Sequence, residues 1–454
     1  MKLNAAEVGD LRSTDFLGHE FACGCGRTHS VNLETVIIET GAIRRIPQIL
    51  REAGFRNVFI LADEHTYQAA GRAVAESLQG QFRFESLVYQ RKNELVPDET
   101  ALGEFFLRFP PDTDVIITVG TGVLNDLAKF ASHKTKVPYL VVATAPSMDG
   151  FASDGAALIV DNVKVSYPST NVKAIIGDVE VLKRAPMKMI AAGLGDMLGK
   201  FSALRDWKLG ALIEDEYYCD VVTALVEKSV QRCIDGMDGL CRREDAAVQN
   251  LMEGLVLTGI AMSFAGSSRP ASGSEHHLSH FWEMMFLLDG KAAVLHGTKV
   301  GIASVIMGKL GEKLAREQVD WTAAERKAAE FQRADWEARI QSVFKNSAAG
   351  ILKLEQSGNR HSPNDRLKRL AAIRRNWPAI VSILQAGPSP LQIENWLKQT
   401  GAPVRPSEVG ITKADLYHGI LHAKEIRVRY TVLQLLEDLG LLDEYAQAIT
   451  AQYF

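Results

Sequence analysis

Continuous apolar runs separated by helical stretches constrain this 454-residue chain more than any other feature. Val58-Phe59-Ile60-Leu61-Ala62-Asp63 is one such run, and residues 67–78 after it carry a helical pattern. Residues 84–89 read as a second strand, and Pro97 opens a helix to residue 106. Asp114-Val115-Ile116-Ile117-Thr118-Val119 is the third run, residues 124–132 are helical, and Pro138-Tyr139-Leu140-Val141-Val142-Ala143 is the fourth. A strand with one wet face alternates polar and apolar residues. An unbroken β-branched run is buried on both faces, which means parallel strands covered by helices. Residues 1–185 are therefore expected to form a doubly wound, mostly parallel α/β domain that binds a dinucleotide.

Beyond residue 186 the period lengthens. Residues 187–207, 217–235, 246–264 and 278–288 place apolar side chains three and four apart, the spacing of buried helix faces. Residues 322–374 are charged and read as surface helices broken at Gly350 and at Gly358-Asn359-Arg360-His361-Ser362-Pro363. Residues 413–436 and 438–448 close an all-α second domain, 186–454. No internal repeat or low-complexity tract is evident.

Composition narrows the partners. The chain is 46% hydrophobic and 23% charged with a formal net charge of −4, so it has no basic excess for a nucleic-acid backbone. Met1-Lys2-Leu3-Asn4-Ala5-Ala6-Glu7 lacks the apolar core of a secretory signal, and no uninterrupted apolar run approaches the roughly 20 residues of an integral membrane segment. Five cysteines, an odd number in a long chain, point to reduced thiols and a cytoplasmic protein.

Gly120-Thr121-Gly122-Val123-Leu124-Asn125-Asp126 follows an apolar strand and precedes a helix, where glycines and helix amides suit a pyrophosphate. A plain turn is the competing reading. Asp63 ends an earlier strand and could accept from an adenosine ribose hydroxyl, or merely cap the next helix. Thr144-Ala145-Pro146-Ser147-Met148-Asp149-Gly150-Phe151-Ala152-Ser153 follows the fourth strand at the end where such folds bind ligands, although its composition also fits a simple connector. Asp196 sits mid-helix, where aspartate is not a favoured former. His276 and His280 share one helix face, and His296 precedes Gly297. One carboxylate with these imidazoles makes an open site for a divalent metal, with His277 facing elsewhere. Cys23-Gly24-Cys25-Gly26-Arg27-Thr28-His29 looks like half a zinc knuckle; with no fourth ligand evident, a tight turn is expected.

Together these motifs resemble the sn-glycerol-1-phosphate dehydrogenase family, bacterial AraM-like branch, of the dehydroquinate synthase and iron-type alcohol dehydrogenase superfamily. The resemblance spans the chain and includes Gly193-Leu194-Gly195-Asp196-Met197-Leu198-Gly199-Lys200, Ser268-Arg269-Pro270-Ala271-Ser272-Gly273-Ser274-Glu275-His276, and the tail His422-Ala423-Lys424-Glu425-Ile426-Arg427-Val428-Arg429-Tyr430-Thr431. It implies dinucleotide contacts at Gly122, Val123, Leu124, Asn125, Asp126, Thr144, Ala145, Pro146, Ser147 and Ser153. It implies metal ligation by Asp196, His276 and His296, and substrate contacts at Asp149, Asp196 and His280, with Asp196 and His280 catalytic. The implied activity is metal- and NAD(H)- or NADP(H)-dependent interconversion of dihydroxyacetone phosphate, a small phosphorylated three-carbon substrate, with sn-glycerol 1-phosphate. One divalent ion per subunit is implied, nickel or zinc ahead of iron, in a homodimer serving phospholipid biosynthesis. The cofactor turn departs from the usual Gly-Gly-Gly-Lys form, with Thr121 in the middle and Val123 in place of lysine. Arg269, seven residues before His276 in a small-residue loop, is the candidate phosphate partner from its own position; capping a neighbouring helix is the competing reading. Glycerol dehydrogenase is the nearest rival; a dehydroquinate synthase-type cyclase would carry glutamate where this chain has Asp196, and a non-catalytic sensor need not keep the ligands.

Overall fold

A computed structural model of the chain describes residues 2–92, 94–153, 155–160, 163–358 and 362–454. Three short strands open it: β1 (Lys2–Leu3), β2 (Phe21–Cys23) and β3 (Thr28–His29), with β1 parallel and β3 antiparallel to β2. Then come β4 (Thr35–Glu39), β5 (Asn57–Asp63), β6 (Arg83–Tyr89), β7 (Val115–Gly120) and β8 (Tyr139–Ala143). An antiparallel hairpin of β9 (Gly155–Val160) and β10 (Val163–Pro168) precedes β11 (Ala174–Asp178). Six strands form one sheet in the order β4-β11-β8-β7-β5-β6, every pairing parallel.

The side chains explain the pairing. Val58, Ile60 and Ala62 pack one face of β5 against Ile46, Leu50, Val74 and Leu78 of flanking helices. Phe59, on the other face, meets Phe105 and Phe109 edge-on at 5.6 and 5.5 Å between centroids. Both faces are covered, as the continuous apolar runs require. The sheet has two strands more than the four expected: the apolar stretches of β4 and β11 are too short to stand out from their surroundings.

From β5 the chain steps out to β6, returns across β5 to β7, and continues the opposite way to β8. Strand order reverses between β5 and β7, so their carboxyl ends flank a crevice of the dinucleotide-binding kind. Asp63 ends one of these strands and Gly120 the other.

Six helices matter for the site: α1 (Gly122–Thr135), α2 (Met187–Glu214), α3 (Asp220–Asp235), α4 (Asp245–Ala265), α5 (Ser274–Leu288) and α6 (His296–Leu314). Two compact units emerge. One comprises residues 1–197, 220–268 and 399–401; the other comprises 198–219, 269–398 and 402–454. The first holds the strands together with α1, α3 and α4. Gln249 of α4, for example, donates to Ile38 O of β4 at 2.6 Å. The second is helical among the described residues. By length and composition α4 could cross a bilayer, but 83% of its apolar window is buried inside the protein.

In the helical unit, the charged stretch expected to be surface helices is partly core: Trp336, Ile340, Phe344, Leu370 and Ile373 pack with Trp282, Ile302 and Ile306. Gly350 breaks nothing and lies inside the helix Ala348–Gly358; the interruption comes at Lys345–Ser347. Residues 359–361 of the expected loop lie outside the described residues. The helix expected over 413–436 stops at His422 and resumes at Val432, whose amide donates to Asp206 Oδ1 at 2.9 Å.

The loop after β8 packs on α2 so closely that a Cβ at Gly193 would overlap the Pro146 carbonyl oxygen. That oxygen is backbone and cannot rotate aside. Gly193→Ala is therefore expected to lower stability by about 1–3 kcal/mol, the usual cost of overpacking, although alanine is the better helix former by about 1 kcal/mol. Chemical denaturation measures the difference, and a variant as stable as the parent would show that the loop yields.

Candidate functional site

In the sheet-bearing unit two loops meet at the crevice. β7 runs directly through Thr121 into α1, and the Asn125 amide donates to Thr121 O at 2.9 Å. Thr144 N donates to Gly120 O at 3.2 Å, tying the second loop to the first turn. Asn125 is fully buried; its side chain donates to Gly150 O at 3.1 Å and accepts from Tyr139 at 3.4 Å. It braces the loop from inside. Lys129, one turn further along α1, was not singled out in the sequence. Its buried ammonium donates to Gly150 O at 2.5 Å, Ser153 Oγ at 2.8 Å and Gly155 O at 3.2 Å, with Asp126 at 3.9 Å. The sequence signal was the Asn125/Lys129 spacing of four on the buried face of α1. Asp63 does cap the next helix, its Oδ1 accepting from Thr66 N at 2.8 Å in a reciprocal box. In the same unit Asp149 N donates to Asp196 Oδ2 at 3.0 Å, and Asp196 is fully buried.

In the helical unit the imidazoles gather. Ring centroids of His276 and His296 are 5.0 Å apart, His280 and His296 5.4 Å, and His276 and His280 6.1 Å. The start of α5 fixes the first of them. Asp206 Oδ2 accepts from Ser274 N at 2.7 Å. Glu275 Oε1 accepts from Gly273 N at 2.8 Å and lies 2.7 Å from His276 Nδ1. Consecutive residues do not face each other inside a helix; here Glu275 is in the first turn and folds back over the helix start. Burial opposes ionisation of Glu275, but the His276 and Gly273 donors outweigh it and hold the carboxyl below its ordinary range. The ionised carboxylate accepts from Nδ1–H, which keeps the proton on Nδ1 and leaves the lone pair on Nε2. This partner went unremarked in the sequence, where the adjacent Glu275-His276 pair was its signal.

His280 Nδ1 pairs with Glu283 Oε2 at 3.2 Å, and Glu283 Oε1 faces Lys299 at 3.6 Å. His296 opens α6. His277 is fully buried; burial first, then Arg429, Arg427 and Arg269, push its pKa well down, so it stays neutral.

Arg269 is not available for a phosphate. It is 2% exposed, its Nε donates to Glu216 Oε1 at 2.6 Å, its Nη2 also engages Glu216, and its Nη1 donates to Tyr430 O at 2.8 Å. Arg427 and Arg429 differ: both are half-buried, and Arg429 Nη1 reaches Ser272 O at 3.4 Å, just before α5. Burial, then the neighbouring Arg427 and Arg269, push the Arg429 pKa down to about 9.

Residues 37–186 match the family described as iron-containing alcohol dehydrogenase. A glycerol-1-phosphate dehydrogenase (NAD(P)+) from Geobacillus stearothermophilus is 33% identical over 425 residues, covering 92% of this chain and 96% of that one. Another, from Halalkalibacterium halodurans, is 37% identical over 302 residues, 66% of this chain and 76% of the relative. Among solved structures, a probable glycerol dehydrogenase from Sinorhizobium meliloti 1021 superposes with a TM-score of 0.60 at 14% identity, over 92% of this chain and 98% of that one. That likeness speaks for the fold alone. The extent of the Geobacillus match speaks for more: the chain belongs to the glycerol-1-phosphate dehydrogenase family.

Proposed function

We propose that this chain is an NAD(P)-linked, metal-dependent oxidoreductase interconverting dihydroxyacetone phosphate and sn-glycerol 1-phosphate. The imidazole cluster, with His276 Nδ1 committed to Glu275, carries the reading. On it, residues 1–185 hold the dinucleotide and residues 186–454 supply metal and substrate contacts.

The proposed ligands are Asp196, His276 and His296. Three features support a fit. The His276 and His296 donor atoms lie within 4.8 Å of each other. A Cβ at Gly199 of α2 would lie 2.6 Å from Val300 Cγ1 of α6 and 3.4 Å from Glu275 Cγ of α5. Asp196 stands three residues earlier on the same unbroken helix, about 4.5 Å along its axis and on nearly the same face. An O/N/N set without sulfur suits nickel, zinc or iron, and three protein ligands leave a position open. When bound, the cation supplies Lewis acidity for a carbonyl and the dinucleotide supplies hydride.

The chain's own residues do the rest. The turn from Gly122 to Asp126 and the loop from Thr144 to Ser147 would cradle the pyrophosphate, with Ser153 held by Lys129 beneath them. Asp63, its Oδ1 spent on a cap, would face a ribose hydroxyl and favour NADH over NADPH. Asp149 would orient a substrate hydroxyl. His280, with Nδ1 turned to Glu283, would present Nε2 to the substrate oxygen and pass its proton. In place of Arg269, Arg427 and Arg429 would receive the phosphate.

Reaction of metal-reconstituted protein with NADH and either dihydroxyacetone phosphate or dihydroxyacetone tests the function. The phosphorylated ketone is expected to have a kcat/KM at least about 100-fold higher, since a basic pocket left empty forfeits charge-assisted hydrogen bonds. Equal values would favour a glycerol dehydrogenase. Arg429→Met is expected to erase most of that preference by raising KM for the phosphate ester alone; a proportional loss on both ketones would remove Arg429 from the phosphate site.

Ligand and proton-transfer roles separate in a pair of variants. His276→Ala is expected to lose both metal and turnover. His280→Ala is expected to keep its metal and lose about 10²–10⁴-fold in kcat, the usual worth of general acid–base catalysis. Metal analysis beside steady-state kinetics distinguishes them, and metal loss in His280→Ala would overturn the assignment.

A further inference from the structure

Lysine is seldom buried whole, because its ammonium is costly to remove from water unless oxygens meet it. Lys129 of α1 has a fully buried side chain. An ammonium has three donors, and three oxygens stand around this one: Gly150 O at 2.5 Å, Ser153 Oγ at 2.8 Å and Gly155 O at 3.2 Å. Where α1 only has to fill space it carries apolar residues, as at Leu127, Ala128 and Ala131. At position 129 it carries a cation fitted to the loop.

Gly150 O is the centre of this arrangement. A carbonyl oxygen has two lone pairs. Asn125 Nδ2, one turn earlier on the same face of α1, donates to it at 3.1 Å beside Lys129. Ser153 Oγ, which accepts from Lys129, donates to the same oxygen at 3.1 Å and closes a small ring of hydrogen bonds. A little earlier in the loop, Asp149 N donates to Asp196 Oδ2 at 3.0 Å. Only the backbone of Asp149 and Gly150 separates that amide from the carbonyl that Lys129 holds. All of these residues belong to the sheet-bearing unit.

We propose that Lys129 is a positioning residue for the reaction: through the Gly150 carbonyl it sets the Asp149 amide against Asp196 Oδ2 and so turns Oδ1 of that carboxylate to the metal ion. The inference rests on the proposed ligand set, in which Asp196 is a ligand. A carboxylate with neither oxygen engaged can rotate about its own axis. One whose Oδ2 accepts from a fixed amide offers a single, directed oxygen. Hydrogen bonds to metal-ligating carboxylates are half of such a site's design, and their loss typically costs about 10–100-fold in metal affinity or activity. The same short stretch of backbone bears the Asp149 side chain, proposed to orient a substrate hydroxyl. One buried lysine therefore sets the metal ligand and the substrate-orienting carboxylate together.

Zinc titrated into the metal-free full chain against a chromophoric chelator, with no dinucleotide or ketone present, tests this. The binding component that Asp196→Ala abolishes identifies the site. Lys129→Met, similar in length and without a donor, is expected to weaken that component by about 10–100-fold. Ser132→Ala removes a different buried hydrogen bond of α1, to Val137 O at 2.6 Å, and is expected to lower stability while zinc affinity stays at the parent value. A folded Lys129→Met variant that binds zinc as the parent does overturns the inference, leaves the ligand set standing and confines Lys129 to bracing the loop. If Lys129→Met does not fold, Asn125→Ala decides, because it removes the second donor to the same carbonyl: weakened zinc binding at the site supports the link through Gly150, and unchanged binding overturns it. If Asp196→Ala abolishes no component, the ligand set fails and the inference fails with it.

Discussion

Much of the molecule depends on how closely neighbours approach α2. Each glycine inside a helix costs about 1 kcal/mol relative to alanine, yet α2 carries glycine at 193 and 199 among its 28 residues. At Gly193 the missing side chain admits the Pro146 carbonyl, and with it the loop that follows β8. At Gly199 it admits Val300 of α6 and Glu275 of α5. Asp196 falls between these two positions. A helix that exposed a β-carbon at either would hold the loop after β8 or the imidazole-bearing helices further off. The helix gives up intrinsic propensity, and packing against both neighbours offsets the loss.

Charges buried around these helices are ordered by the same economy of space. An unpaired buried charge costs several kcal/mol, and removing one partner of a buried pair is severe. Lys129 meets three oxygens and a carboxylate. Asp206 accepts from the amides of Ser274 and Val432, joining the start of α5 to the helix that begins at Val432. Arg269 is held by Glu216 through two nitrogens and by the Tyr430 carbonyl. A phosphate could capture Arg269 only by leaving Glu216 uncompensated. Arg427 and Arg429 are only half-buried, and the Arg429 pKa is pushed down by burial and then by the neighbouring Arg427 and Arg269.

The sequence revealed the fold where the physical signal was continuous. Strands β5, β7 and β8 are apolar runs buried on both faces, whereas β6 at the sheet edge carries Arg83, Glu85 and Ser86. β4 and β11 present only Val36-Ile37-Ile38 and Ile175-Ile176 before polar or glycine residues, too little pattern to separate a strand from a loop. Residues 336, 340 and 344 keep a four-residue apolar spacing, but arginines and glutamates between them made the stretch look solvated; burial of Trp336 and Phe344 shows that the spacing was the stronger signal. The candidate ligands were legible because aspartate and histidine are unexpected in apolar helices. Their supports were not. Glu275 reaches His276 only because a first-turn side chain can fold over the helix start. Arg269 looked open because nothing near it in sequence announces Glu216.

A histidine becomes a directed ligand when its Nδ1 proton has somewhere definite to go. For His276 the acceptor is the buried carboxylate of Glu275, which also holds the Gly273 amide, so the ring is fixed and the opposite nitrogen is made more basic. For His280 it is Glu283, a carboxylate less buried than Glu275 that also faces Lys299. On the proposed reading that difference matches the two roles: a rigidly held imidazole suits a metal ligand, and one on a shared, more open carboxylate suits a group that exchanges a proton.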